Sequence, residues 1–187
     1  GRDVPELVLH RAHYADPDDP RRARVQVTAP DGTVFDLAAP ALAARLAAAA
    51  GHPVRLLQTA RGAHDAMPVS VLATTTADAV GHAHGTPVGL ARFRANVVVK
   101  PDDPDATDAG WCGQTLLFGD DPDAPGLRLD WAVPRCAMVA INAETAARDP
   151  AVLRTVVRAF GNRVGMYCAV HRPGVIRVGD RVRLHAG

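Results

Sequence analysis

Lysine and glutamate are almost missing from this chain of 187 residues. Lys100 is the only lysine and Glu6 and Glu144 are the only glutamates, so 20 of the 21 basic residues are arginine and 18 of the 20 acidic residues are aspartate. The single lysine stands at the head of an acidic loop, where no Schiff base is expected, and pyridoxal phosphate chemistry is therefore not expected on this chain. A net charge of +1 argues against nucleic acid or an anionic membrane surface as partner. No run approaches the roughly 18 apolar residues that span a bilayer, since Arg45 interrupts the longest alanine stretch. The chain starts at Gly1 with no charged region and apolar core of an export signal, so a cytoplasmic location is expected. Cysteine is scarce too. Cys112, Cys136 and Cys168 are odd in number, widely spaced and without a CxxC pair, as for reduced thiols. GxSxG, P-loop, GxGxxG and HExxH signatures are absent as well.

With 48% hydrophobic and 22% charged residues the composition is globular, and the length suits one domain of ordinary size. Two helices stand out. Pro40 to Ala50 carries Pro near its start and Gly51 just past its end, and Pro150 to Phe160 has Asp149 as cap, apolar Leu153, Val156, Val157 and Phe160 at helical spacing, and Gly161 as stop. A short third helix is expected over Thr76 to Val80. The other apolar runs are short and β-branched and predict strands: Val25 to Thr28, Val54 to Leu57, Val69 to Leu72, Val97 to Val99, Thr115 to Phe118, Leu127 to Trp131, Val139 to Ile141 and Val164 to Val170. The closing HRPGVIRVGDRVRL predicts a hairpin in which Ile176 and Val178 face Val182 and Leu184 across Gly179-Asp180. The expected class is mostly β with peripheral helices, α+β. The acidic, Pro-rich stretches Lys100 to Gly110 and Gly119 to Gly126 read as solvated loops, since no calcium-loop spacing is present.

Cys136 follows Arg135 in WAVPRCAM, after Pro134 interrupts a strand, so its thiol lies at a bend beside a permanent cation, a setting that favours a reactive thiolate. A packed, inert thiol fits the same residues. For Cys112 and Cys168 the inert reading is the more economical. In LARFRANVVV, alternation sets Arg92, Arg94 and Asn96 on one strand face, where they could grip a phosphate or a heterocycle edge, or be ordinary solvated side chains. His82 and His84 in GHAHG lack a third metal ligand nearby.

Together and in order, RFRANVVV, PRC and RPGVIRVGDRVRL resemble the RFRPNIVV, [S/P]RC and PGxIxVGDxVxL segments of the MOSC domain, found in molybdenum cofactor sulfurases and in the amidoxime reducing component and its bacterial relatives. Upstream, GRDVPELVL, VTAPDG and HDAMPVSVLATTTADAV resemble the family's amino-terminal region. The resemblance implies a MOSC-type β-barrel, with residues 1–66 as part of an N-terminal barrel lobe with one helix and 67–187 as the MOSC core. It implies molybdopterin as cofactor and Cys136 as the ligand to molybdenum or as a persulfide carrier. Arg92, Arg94, Asn96 and Arg135 would hold the cofactor, with Thr74 and Thr75 as added donors unless they only cap the following helix. The implied activities are reduction of N-hydroxylated small molecules with electrons from a redox partner protein, sulfur transfer from a cysteine desulfurase, or ligand binding without turnover. Departures are Ala95 for the family's proline, Val139, Ala140 and Asn142 after the cysteine, and no Lys-Ser or Gly-Asp-Arg segment upstream.

Overall fold

The computed structural model describes residues 3–57 and 64–186. These fall into two compact units, one of Gly1–Ala60 with Ile141–Arg148 and one of Arg61–Ala140 with Asp149–Gly187. In the first unit, β1 (Arg11–Tyr14), β2 (Val25–Thr28) and β3 (Val34–Asp36) form an antiparallel sheet in that order. Helix α1 spans Pro40–Ala50, as its proline and glycine predict, and buries Leu42. Residues 54–57, expected as a strand, form none.

The second unit is a mixed α+β body. Its six-stranded curled sheet runs β5 (Val97–Val99), β4 (Val69–Ala73), β8 (Arg163–Arg172), β7 (Gly126–Pro134), β6 (Thr115–Phe118), β9 (Val182–His185), all antiparallel except β4 with β5. Alternation along β4 divides the core. Val71 and Ala73 join Leu116, Leu127, Leu129, Met166 and Cys168 on one face, whereas Leu72 packs against α2 (Thr74–His84) and α3 (Pro150–Phe160) on the other. Asp149 caps α3 by accepting the Ala151 N–H at 2.9 Å. The buried stripe of α3 is Val152 and Val156 flanked by Leu153 and Phe160; Val157, expected inside, is half exposed.

Three local expectations change. The C-terminal hairpin does not form: residues 173–177 are irregular, a turn from Arg177 to Asp180 follows, and β9 pairs with β6 instead. Residues 137–140 form a 3-10 turn instead of a strand. The helix expected at Thr76 to Val80 runs from Thr74 to His84, so His82 and His84 lie on its last turn and not in a loop; the His84 ring meets Asp149 at 3.2 Å.

One irregularity positions the site. Ala132 pairs with Met166 and Pro134 with Arg163, so one residue of β7 opposes two of β8, and the bulge holds Gly165 at φ +78°. Only glycine takes that conformation at no steric cost, and a Cβ here would lie 2.9 Å from the Val71 carbonyl oxygen. The bulge breaks the ladder, and the freed groups find side chains: the Gly165 N–H donates to Asp108 (3.2 Å) and the Val164 carbonyl accepts from Arg135 (2.7 Å).

Candidate functional site

Four segments of the second unit converge on a cleft of about 380 Å³, lined among others by Asp65, Ser70, Arg92, Arg94, Asn96, Arg135, Cys136 and Tyr167. The volume falls in the range of roughly 300–1,000 Å³ usual for small-molecule sites. Cys136 lies two residues past the Pro134 end of β7 and is exposed; its carbonyl accepts the Val139 N–H and so starts the 3-10 turn. The thiol is held on a rigid bend with open access, as a nucleophile or soft ligand requires.

Arg92 and Arg94 reach the cleft by a different route from the extended strand the sequence suggests. Leu90–Phe93 is a 3-10 turn, and Arg94 ends it in the left-handed region at φ +52°. Such a conformation costs a non-glycine residue about 1 kcal/mol or more. Two features offset it: the Arg94 N–H donates to the Ala91 carbonyl, and the preceding Phe93 carbonyl accepts from Arg135 at 2.7 Å, a charge-assisted bond of roughly 1.5–3 kcal/mol. Arg94 itself is exposed, and its guanidinium has no partner among the described residues. Among the described residues the Arg92 guanidinium donates to the Val139 carbonyl alone, at 3.4 Å. Asn96 has its carboxamide oxygen fixed by the Ser70 N–H (2.9 Å) and hydroxyl (3.0 Å), which leaves its NH2 group as donor.

Arg135 differs from these two arginines. Nε donates to the Val164 carbonyl and Nη1 to the Phe93 carbonyl, both at 2.7 Å, the guanidinium carbon lies 5.4 Å from the Phe93 ring centroid, and Nη2 is buried with no partner among the described residues. Burial pulls its pKa below the usual arginine value, opposed by the charges of Tyr167, Asp108 and Cys136. Thr74 and Thr75 do not line the cleft. They open α2, whose N-cap is Ala73 without a side-chain bond, and Thr75 donates its hydroxyl to the Ala106 carbonyl. The capping expectation therefore does not hold for these two threonines.

No sequence pattern announces two further groups, one in the cleft wall and one behind it. Tyr167, 5% exposed, donates its hydroxyl to Asp65 at 3.0 Å across 102 residues of chain; burial and then this carboxylate push the phenol above its ordinary value. Asp108, expected in a solvated loop, is 2% exposed. Its carboxylate accepts from the Ala73 N–H (2.9 Å) and the Gly165 N–H (3.2 Å), tying β4 to β8; burial pushes its pKa up, against those bonds, the Thr76 hydroxyl and the Arg135 charge. Cys168 is fully buried and its thiol is pushed up to about 12, chiefly by burial. Cys112, expected to be packed, is exposed and donates to the Asp130 carbonyl at 3.1 Å.

These features define a class: a small α+β protein whose curled mixed sheet ends in a bend presenting an exposed thiol among arginine and amide donors. A family model for the MOSC domain matches residues 58–183, and the chain belongs to that family, which is associated with the molybdenum cofactor and sulfur chemistry. The crystal structure of the YuaD protein from Bacillus subtilis has a similar fold, with a TM-score of 0.52 at 18% identity over 94% of this chain and 76% of that one. No curated protein matches the chain. Among the described residues no helix is long and apolar enough to cross a membrane.

Proposed function

We propose that the cleft binds a molybdopterin form of the molybdenum cofactor, with Cys136 as the protein's sulfur ligand. The observation that carries the reading is the meeting, in one cleft, of the exposed Cys136 thiol with the unpartnered Arg94 guanidinium and the oriented Asn96 amide. The donor set fits the group. A thiolate suits a soft transition metal, Arg94 and the remaining donors of Arg92 suit a phosphate, and the Asn96 NH2 suits a carbonyl or phosphate oxygen. When bound, the cofactor supplies two-electron chemistry, here the reduction of N-hydroxylated small molecules with electrons from a separate redox protein. The chain's own part is to hold the anionic end, to fix the thiol on its bend and, through Tyr167 and Asp65, to keep a proton on the phenol oxygen at the cleft wall. The test is pterin analysis of protein purified from a cofactor-competent host: release of a fluorescent pterin is expected from the parent chain, and its absence there contradicts the reading.

The exposure of Cys136 favours a second reading, sulfur transfer. Its thiolate would attack the terminal sulfur of a persulfide on a cysteine desulfurase, forming a new S–S bond as the desulfurase thiolate leaves. An adduct of about 32 Da on Cys136, removed by reductant, is then expected after incubation with such an enzyme and cysteine. The same adduct on Cys112 instead would count against it.

A further inference from the structure

We infer that Arg135 is the positioning residue of the cleft and not one of the cations that grip its ligand. This rests on reading the cleft as a site for an anionic ligand near Cys136.

The guanidinium is enclosed inside the protein, bonded through two of its three nitrogens and with the third buried. Nε and Nη1 bond carbonyls that lie 29 and 42 residues away in the chain, and Nη2 is enclosed 2.8 Å from where a Cβ on residue 165 would sit. Each contact fixes part of the cleft. The Phe93–Arg94 peptide is held at both ends, its carbonyl by Arg135 and its N–H by the Ala91 carbonyl, and this sets the direction in which the Arg94 side chain leaves the turn. The Cys136 bend is held by the residue just before it, through the Arg135 N–H on the Asn162 carbonyl and Nε on the Val164 carbonyl. One side chain therefore sets the thiol and the free guanidinium relative to each other.

The seat for this side chain comes from the bulge. Gly165 frees the Val164 carbonyl and leaves room for Nη2, while Asp108, on the Gly165 N–H, pins the bulge from the other side and adds a favourable charge. A rigid fork that reaches two carbonyls at once is a property of arginine that lysine lacks. Charge alone would not replace it.

Two measurements test the assignment. In the unaltered chain, the Arg135 Nε–H resonance is expected to be protected from solvent exchange and unmoved by sodium pyrophosphate, while that of Arg94 exchanges freely. An Arg135 Nε–H that exchanges as fast as that of Arg94, or shifts with pyrophosphate, overturns the proposal. The second compares alkylation of Cys136 by anionic iodoacetate and neutral iodoacetamide, resolved by peptide mapping in a Cys112→Ser background. Arg135→Lys and Arg135→Ala are both expected to lower the iodoacetate-to-iodoacetamide rate ratio by about five-fold, the effect of one unit charge a few ångströms away in water, whereas Arg94→Lys keeps it. A general loss of stability would not alter that ratio selectively. Retention of the parental ratio by Arg135→Lys, or by both Arg135 variants, contradicts the proposal. Should the variants fail to fold, the exchange measurement on the parent decides. Both measurements use protein from a host that makes no molybdenum cofactor, which leaves Cys136 free to react, so a failure of the cofactor reading remains distinguishable.

Discussion

The second unit holds two cavities of nearly equal size, about 380 and 400 Å³, and each has an exposed cysteine in its wall. Around Cys136 stand Arg92, Arg94 and Asn96 with donors to spare. Around Cys112 stand Trp131, Ala132, Phe160 and Met166 with one cation, the exposed Arg163, and the buried Asp108, and its S–H is already committed to the Asp130 carbonyl. Exposure of a thiol is common to both and decides nothing. What separates them is the surplus of hydrogen-bond donors, which comes from a turn, an oriented amide and a bulge. Gly165 belongs to both: it lines the cavity of Cys112, and its bulge frees the carbonyl that holds Arg135 in the other.

The largest expected effect comes from breaking that shared wall. Gly165→Ala must hold a Cβ at φ +78° and place it 2.8 Å from the Arg135 Nη2 and 2.9 Å from the Val71 oxygen. A loss of about 3 kcal/mol or more in urea unfolding is expected, against about 1 kcal/mol if the bulge relaxes. Asp108→Asn comes next. An amide can accept from only one of the two N–H groups and turns a donor toward the other, which predicts a loss of roughly 1–2 kcal/mol by the same assay. Unchanged stability would mean that the carboxylate's burial cancels its bonds.

The comparison sharpens with salt. Raising ionic strength from about 0.05 to 0.5 M shortens the screening length to a few ångströms and reduces the iodoacetate preference at Cys136 several-fold, with a smaller change at Cys112, which has one cation in its wall. An equal change at both thiols would remove the distinction. The smallest effect at neutral pH belongs to the third thiol. Cys168 titrates at about 12 in the fold against an ordinary 9.0, so the fold favours its protonated form. Its contribution to stability is whole below about pH 9 and is lost as pH rises toward 12. Thiol reagents at pH 8 should label Cys112 and Cys136 and spare Cys168 until the chain unfolds.

Much of this was readable where local chemistry decides. Pro40, Pro150, Asp149 and the glycines after each run marked α1 and α3, and short β-branched runs marked six strands of the observed sheets. Residues 54–57 and 139–141 failed because an apolar run of three or four residues carries no periodicity to arbitrate between strand, turn and coil. The site was legible in residue types and not in roles. Arg94 and Arg135 look alike in sequence, each an arginine beside a core strand, and only the positions of the Val164 and Phe93 carbonyls separate a free cation from an engaged one. The Asp65–Tyr167 pair and the buried Asp108 depend on contacts 32 to 102 residues apart, which no local pattern announces.

The central claim, that the cleft beside Cys136 holds a molybdenum cofactor on that thiol, is tested most directly by measuring molybdenum per chain in the parent, Cys136→Ser and Cys112→Ser proteins, purified side by side from a cofactor-competent host. The account predicts near-stoichiometric metal in the parent and in Cys112→Ser and its loss in Cys136→Ser. Equal metal in all three, or none in the parent, would contradict it.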